Sequence, residues 1–229
     1  LETANPTVSF AEYAYANPYY RKYGADGKVS RYLYYPEEGV DDFPVSNPLW
    51  NASLNSWDRT GSFGFTNNFI FEWFMLEELR MRAKFGLSRT DDDEQTRISP
   101  LHTQFDDMGE TEKGLYTNTR ISQMVYEGDV SITYGKLFDN KHMVNAVGGF
   151  NFSSNHQEIF GYAANGFTDD QFDAPSFANG YPSGEKPDYN ESLKRAVSFY
   201  VNGGYVYDDR YLMDFNYRLD GASMFGTGN

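Results

Sequence analysis

Adjacent carboxylates are the first feature that could do chemistry: Glu77-Glu78, Asp91-Asp92-Asp93-Glu94, Asp106-Asp107 and Asp169-Asp170. Glycoside hydrolysis needs two carboxyl groups at a controlled separation, one of them kept protonated by its surroundings. Neighbouring residues in a turn or loop point their side chains in different directions, so each pair reads as solvated loop charge. The three histidines, His102, His142 and His156, make no HxH or HxxxH spacing and read as surface residues. No GxSxG motif supports a serine nucleophile. Cysteine is absent, which excludes disulfides, a thiolate nucleophile and a thiolate metal site. The run Asp91–Glu94 offers hard oxygens to Ca2+ but lacks the alternating spacing and glycine of an EF-hand loop. The reading is no enzyme, no catalytic residue, no cofactor and no metal site.

Binding is better supported than catalysis. Tyr34, Tyr35, Trp50, Trp57, Phe167 and Tyr181 fall in long polar segments, with Asp169 and Asp170 beside Phe167. Flat rings next to carboxylates and amides suit stacking on a sugar face with hydrogen bonds to its hydroxyls. The competing role for the same rings is packing the loops against one another.

The elements that must position these loops are hairpins. Along Gly61–Trp73 the odd positions are Phe63, Phe65, Asn67, Phe69, Phe71 and Trp73, while most even ones are polar. After a connection at Phe74–Glu77, Leu79, Met81, Ala83, Phe85 and Leu87 alternate with Arg80, Arg82, Lys84, Gly86 and Ser88. Period two predicts strands with one apolar and one polar face. Val197–Tyr207 and Tyr211–Leu219 repeat the design across Asp208-Asp209-Arg210, and pairing Tyr207 with Tyr211 keeps both apolar sets on one side. A third hairpin joins Val130–Tyr134 to Val144–Phe152 through Lys136–Lys141. Val8–Tyr15 is a weaker first strand. Gly148-Gly149 and Gly203-Gly204 suit strand bends. Trp73, Tyr134, Tyr205, Tyr207 and Tyr211 suit an interfacial girdle.

Between the hairpins lie long polar segments at roughly Asn17–Arg59, Asp91–Arg120 and Ser154–Lys194. Short turns at one end and long loops at the other is the layout of outer-membrane barrels, with turns periplasmic and loops extracellular. Composition agrees. With 19 Lys plus Arg against 33 Asp plus Glu, the charge of −14 excludes a nucleic-acid footprint. No apolar run approaches the roughly 20 residues of a membrane-spanning helix. The mean hydropathy of −0.65 is no obstacle, because only every second strand residue of a barrel meets lipid. Leu1–Asn5 does not read as a signal peptide.

Several segments resemble the SusC/RagA family of TonB-linked outer-membrane transporters. They are Asn17-Pro18-Tyr19-Tyr20-Arg21, Asn47-Pro48-Leu49-Trp50-Asn51-Ala52, Asn67-Asn68-Phe69 through Glu72-Trp73, and Leu79-Arg80-Met81-Arg82-Ala83. Tyr134-Gly135-Lys136-Leu137-Phe138 with His142, and Gly166-Phe167-Thr168-Asp169-Asp170, follow in order. The strongest is Tyr207-Asp208-Asp209-Arg210-Tyr211-Leu212 followed by Tyr217–Gly226, with Ala222 where a serine is usual.

The resemblance implies an all-β fold: an antiparallel transmembrane β-barrel segment, residues 1–229, of a barrel of about 22 strands. It also implies that the plug domain, with its TonB-contacting box, and the C-terminal strands lie outside this sequence. Such transporters import large nutrients, typically oligosaccharides and sometimes peptides, beneath a SusD-like surface lipoprotein. Their plug engages the TonB complex, and their surroundings are outer-membrane lipid and lipopolysaccharide. The alternative reading is a secreted β-sandwich that binds glycans or hydrolyses glycosides. Covering the Phe63–Phe71 face with a second sheet would favour it.

Overall fold

A computed structural model describes residues 2–4, 18–37 and 43–223. The strand expected at Val8–Tyr15 lies outside them. Among the described residues nine strands form: β1 (Glu2–Ala4), β2 (Tyr32–Tyr34), β3 (Val45–Ser46), β4 (Trp57–Leu76), β5 (Leu79–Ile98), β6 (Leu115–Phe138), β7 (His142–Asn165), β8 (Asp188–Tyr207) and β9 (Tyr211–Ala222). A short helix, α1 (Pro48–Ser53), precedes β4. The sheet order is β1-β4-β5-β6-β7-β8-β9, so from β4 onward each strand's neighbours in sequence are its neighbours in the sheet. β2 and β3 make a separate two-stranded sheet. No helix among the described residues is long and apolar enough to cross a membrane.

The chain divides into two compact units. One takes the described residues of Leu1–Ser62, Asp92–Arg120 and Ile159–Tyr189. The other takes those of Phe63–Asp91, Ile121–Glu158 and Asn190–Asn229.

The second unit is the hairpin region, and alternation governs it. On β4, Phe63 and Phe69 are each 62% exposed, and Phe65, Phe71 and Trp73 are exposed with them. Phe85, Val130, Ile132, Phe150, Phe152, Val197, Phe199, Phe215, Tyr217 and Leu219 continue this open apolar surface on the neighbouring strands. A second sheet over Phe63–Phe71, which the sandwich reading requires, is not present among the described residues. The opposite face is mostly polar and self-bonded, with Ile70, Phe74 and Leu212 as exceptions. The Arg82 guanidinium lies 3.0 Å from Glu72, Thr66 and Ser88 hydroxyls meet at 3.0 Å, and Tyr200 donates to Asp129 at 3.1 Å. Gly149 has a further role beyond a bend: the Tyr200 ring lies where a Cβ would stand.

The turns follow local chemistry. Asp139 and Asn140 have φ of 49° and 53°, and Asp208 and Asp209 have 48° and 52°. Asp and Asn tolerate this left-handed region better than other side-chain-bearing residues, which is why they recur at hairpin turns. The pairing of Tyr207 with Tyr211 is observed, and the register holds through Ala196 paired with Ala222.

Strands of 20–24 residues differ from the sequence expectation. β5 continues to Ile98, β6 begins at Leu115, and β7 continues to Asn165, well inside the segments read as loops. A membrane-crossing strand needs only about 9–11 residues. On β5 both faces are polar over Asp91–Arg97, so alternation vanishes there while the strand continues. The connections shift by the same logic. β4 runs through Phe74-Met75-Leu76, leaving Glu77-Glu78 as the turn, and β6 runs to Phe138.

Candidate functional site

The first unit carries the loops, and side chains organise it. Its buried centre is Trp57, Tyr116 and Phe167, with the Trp57 and Tyr116 rings edge-on at 6.2 Å. Phe167 is 2% exposed. The chain reaches it through Gly166, whose φ of 80° suits glycine. The backbone N–H groups of Gly166 and Phe167 both donate to the Lys113 carbonyl, at 3.0 and 2.9 Å. A Cβ on Gly166 would strike the Thr111 carbonyl, so only glycine allows this approach.

Arg97, near the end of β5, is the main clasp. Its side chain is 0% exposed. The guanidinium donates to the carbonyls of Asn55, Asp170 and Phe172, the last two at 3.0 Å, and stands 3.7 Å from the Asp170 carboxylate. Asn55 completes the tie, its backbone N–H donating to the Asp170 carboxylate at 3.2 Å and its side chain to the Asp170 carbonyl at 3.0 Å. Three segments distant in sequence are thereby held by one cation.

A second cluster surrounds α1. Pro48 occupies the first turn, where the missing N–H costs nothing. Asn47 caps the helix through Leu49 N–H at 3.1 Å, while its amide donates to Lys22 and Ser30 carbonyls at 3.0 and 2.6 Å. Asn51 donates to the Thr103 hydroxyl at 3.0 Å, and the Trp50 indole donates to the Leu101 carbonyl at 3.3 Å. Arg31 and Tyr32 both donate to Asp106. Burial, then the Asp106 bond, pushes the Tyr32 phenol up to about 12.

His102 is 7% exposed, not the surface residue its loop position suggested. Its Nδ1 accepts from Gln104 N–H at 3.1 Å, which puts the proton of the neutral ring on Nε2. Burial lowers its pKa, with Asp106 opposing more weakly.

No family model matches the chain. Over its whole length the chain is 24% identical to TonB-dependent receptor P26 of Formosa agariphila, and it covers 22% of that protein. Among solved structures it resembles the RagAB peptide transporter, with a TM-score of 0.67 and 18% identity over 89% of this chain and 22% of that one. The RagAB peptide importer in its open-open state matches with the same TM-score at 19% identity over 90% of this chain. The chain shares the fold of a segment of these transporter barrels. This is an outer-membrane fold, and the open apolar face is what lipid requires of it. The chain spans about a fifth of the length of these relatives, which are named as a receptor and as transporters rather than enzymes.

Within this barrel segment the residues singled out for binding divide. Trp57 and Phe167 come together in the buried centre, and Arg59 covers the Trp57 ring at 3.8 Å, so both rings pack. Asp170 belongs to the Arg97 clasp. Trp50 and Tyr34 are half-buried, Tyr34 stacked on Tyr20 at 5.8 Å. Tyr35, Tyr181 and Asp169 are exposed, and Asp169 accepts from Gln171 N–H at 2.8 Å. An exposed stacked pair, Phe172 and Phe177 at 4.7 Å, was not anticipated, because nothing in their spacing announces contact.

The acidic run and one histidine need correction. Asp91, Asp92 and Asp93 lie within β5 rather than a loop, bonded to Ser122, Ser62 and Asn118 at 2.6, 2.5 and 2.6 Å. An extended strand sends alternate carboxylates to opposite faces, so the run is no calcium loop. His156 likewise lies within β7.

Proposed function

We propose that this chain forms part of an outer-membrane, TonB-dependent importer of large nutrients, with oligosaccharides as cargo and a SusD-like lipoprotein as its surface partner. The observation that carries the reading is the exposed apolar face of Phe63, Phe65, Phe69 and Phe71 on a sheet whose other face is mostly polar. Water penalises such a face and lipid does not. The loop side chains in this reading are Tyr35, Tyr181, Trp50 and Asp169, offering rings and a carboxylate to sugar. Tyr34 contributes through its stack with Tyr20. Energy would reach the barrel through a plug domain engaging the TonB complex. Peptides are the second reading, favoured by the likeness to the RagAB peptide transporter.

The test is uptake by cells expressing the full receptor or a deletion, with oligosaccharides and peptides as alternative sole nutrients. Loss of growth on oligosaccharides alone, reproduced by Tyr35→Ala with Tyr181→Ala, supports the glycan reading. Loss on peptides alone reassigns the cargo. Unchanged growth on both, or a full-length protein soluble without detergent, overturns import.

A further inference from the structure

We propose that His156, Glu158 and Glu191 form a binding site for a divalent transition-metal ion, best suited to Zn2+, on the outward face of the hairpin region. His156 and Glu158 stand two residues apart on β7 and therefore on one face. Glu191 comes from β8, the next strand in the sheet. The three ligand atoms lie within 4.8 Å of one another, with His156 Nε2 at 2.8 Å from Glu191 Oε1 and 3.6 Å from Glu158 Oε1. Ligands bound to Zn2+ at about 2.0–2.2 Å stand about 3–3.6 Å from each other, so small side-chain adjustments suffice. Rigid strands carry all three, which lowers the entropy lost on binding.

Chemistry selects the ion. Carboxylates alone would suit Ca2+ or Mg2+, while an imidazole nitrogen shifts preference toward Zn2+ and its neighbours. The positions also suit access from water. His156 and Glu158 share the even-numbered face of β7 with Phe152 and Phe160 and form a polar interruption between them, where their side chains keep 33% and 48% exposure. A bound ion would tie β7 to β8 at this polar interruption. This inference is independent of which nutrient the barrel imports.

The competing arrangement is a plain imidazole–carboxylate hydrogen bond, which holds no ion. Zn2+ titration of the full-length receptor in detergent against a chromophoric chelator separates the two. The expected result is one Zn2+ per barrel, weakened at least tenfold by His156→Gln and by Glu191→Gln and unchanged by Ser154→Ala. Heat-modifiable migration confirms that each variant is folded. Absence of stoichiometric Zn2+ binding overturns the site. So does binding that survives His156→Gln, or a Ca2+ affinity equal to that for Zn2+.

Discussion

The hairpin region and the loop region of this chain are held by opposite means. In the hairpins the backbone ladder does the work, and β8 and β9 stay in register from Ala196–Ala222 to Tyr207–Tyr211. Large apolar side chains there remain open. In the loop region the ladder is short, and buried side chains such as Arg97, Asn47 and Phe167 join segments that the ladder does not. One region spends its apolar residues on its surroundings, the other on itself. A substitution should therefore damage each region through a different channel.

The largest effect is expected at the clasp. Arg97→Ala leaves three carbonyls and Asp170 without their cation, and breaking such a buried group costs about 3–5 kcal/mol. The lower end applies, because the Asp170 side chain keeps 24% exposure. In the full-length receptor, protease cleavage near Asn55 and Asp169–Phe172 should accelerate by about two orders of magnitude. Heat-modifiable migration should stay intact, since the hairpins do not depend on the clasp. Unchanged cleavage would show that the loops are held by something other than Arg97.

Next comes the exposed belt. Phe69→Arg places a charge on a lipid-facing strand, where it costs about 2–4 kcal/mol near the bilayer midplane. The same change on a face bathed in water would fall within about 0.5 kcal/mol. Folding yield into lipid vesicles, measured against denaturant, distinguishes them. A neutral outcome would sink the lipid assignment of this face.

These two cases explain what the sequence discloses. Phe63 through Trp73 can be read because a two-residue period acts on neighbours along the chain. Arg97 cannot, because its partners stand 42, 73 and 75 residues away and no local pattern encodes them. Trp57 and Phe167 carry the right residue type for ligand stacking, yet only packing reveals that they serve as core. The outer part of β5, Asp91–Arg97, is hidden for a third reason: with neither face apolar, a strand and a loop look alike in sequence.

A smaller effect should follow pH in the loop region alone. Burial holds the His102 ring neutral, with its pKa below the ordinary value of 6.5. Once the loop opens, the ring titrates near that ordinary value, so the open state takes up the proton first. Stability of the Ser99–Glu112 segment is thus complete above about pH 6.5 and declines as pH falls below it. Hydrogen exchange, corrected for its intrinsic pH dependence, should show faster opening there under acid and none of this change in the hairpins. His102→Asn, which keeps an acceptor for Gln104 N–H, should abolish the acid sensitivity.

The smallest effect belongs to the turns, and its sign is the informative part. Asp209 sits at φ 52°, a conformation costing a side-chain-bearing residue about 1–2 kcal/mol that glycine avoids. Glycine also frees the unfolded chain, offsetting part of the gain, so Asp209→Gly should stabilise by about 0.5 kcal/mol. Asp209→Val should destabilise by about 1–2 kcal/mol, since a β-branched residue fits this region worst. The measurement is the denaturant midpoint of the full receptor in detergent. If both changes move it the same way, the turn is imposed by its surroundings, and the hairpin would share the long-range dependence of the loops. Opposite shifts would show that the β8–β9 turn is written locally, by the aspartates that occupy it.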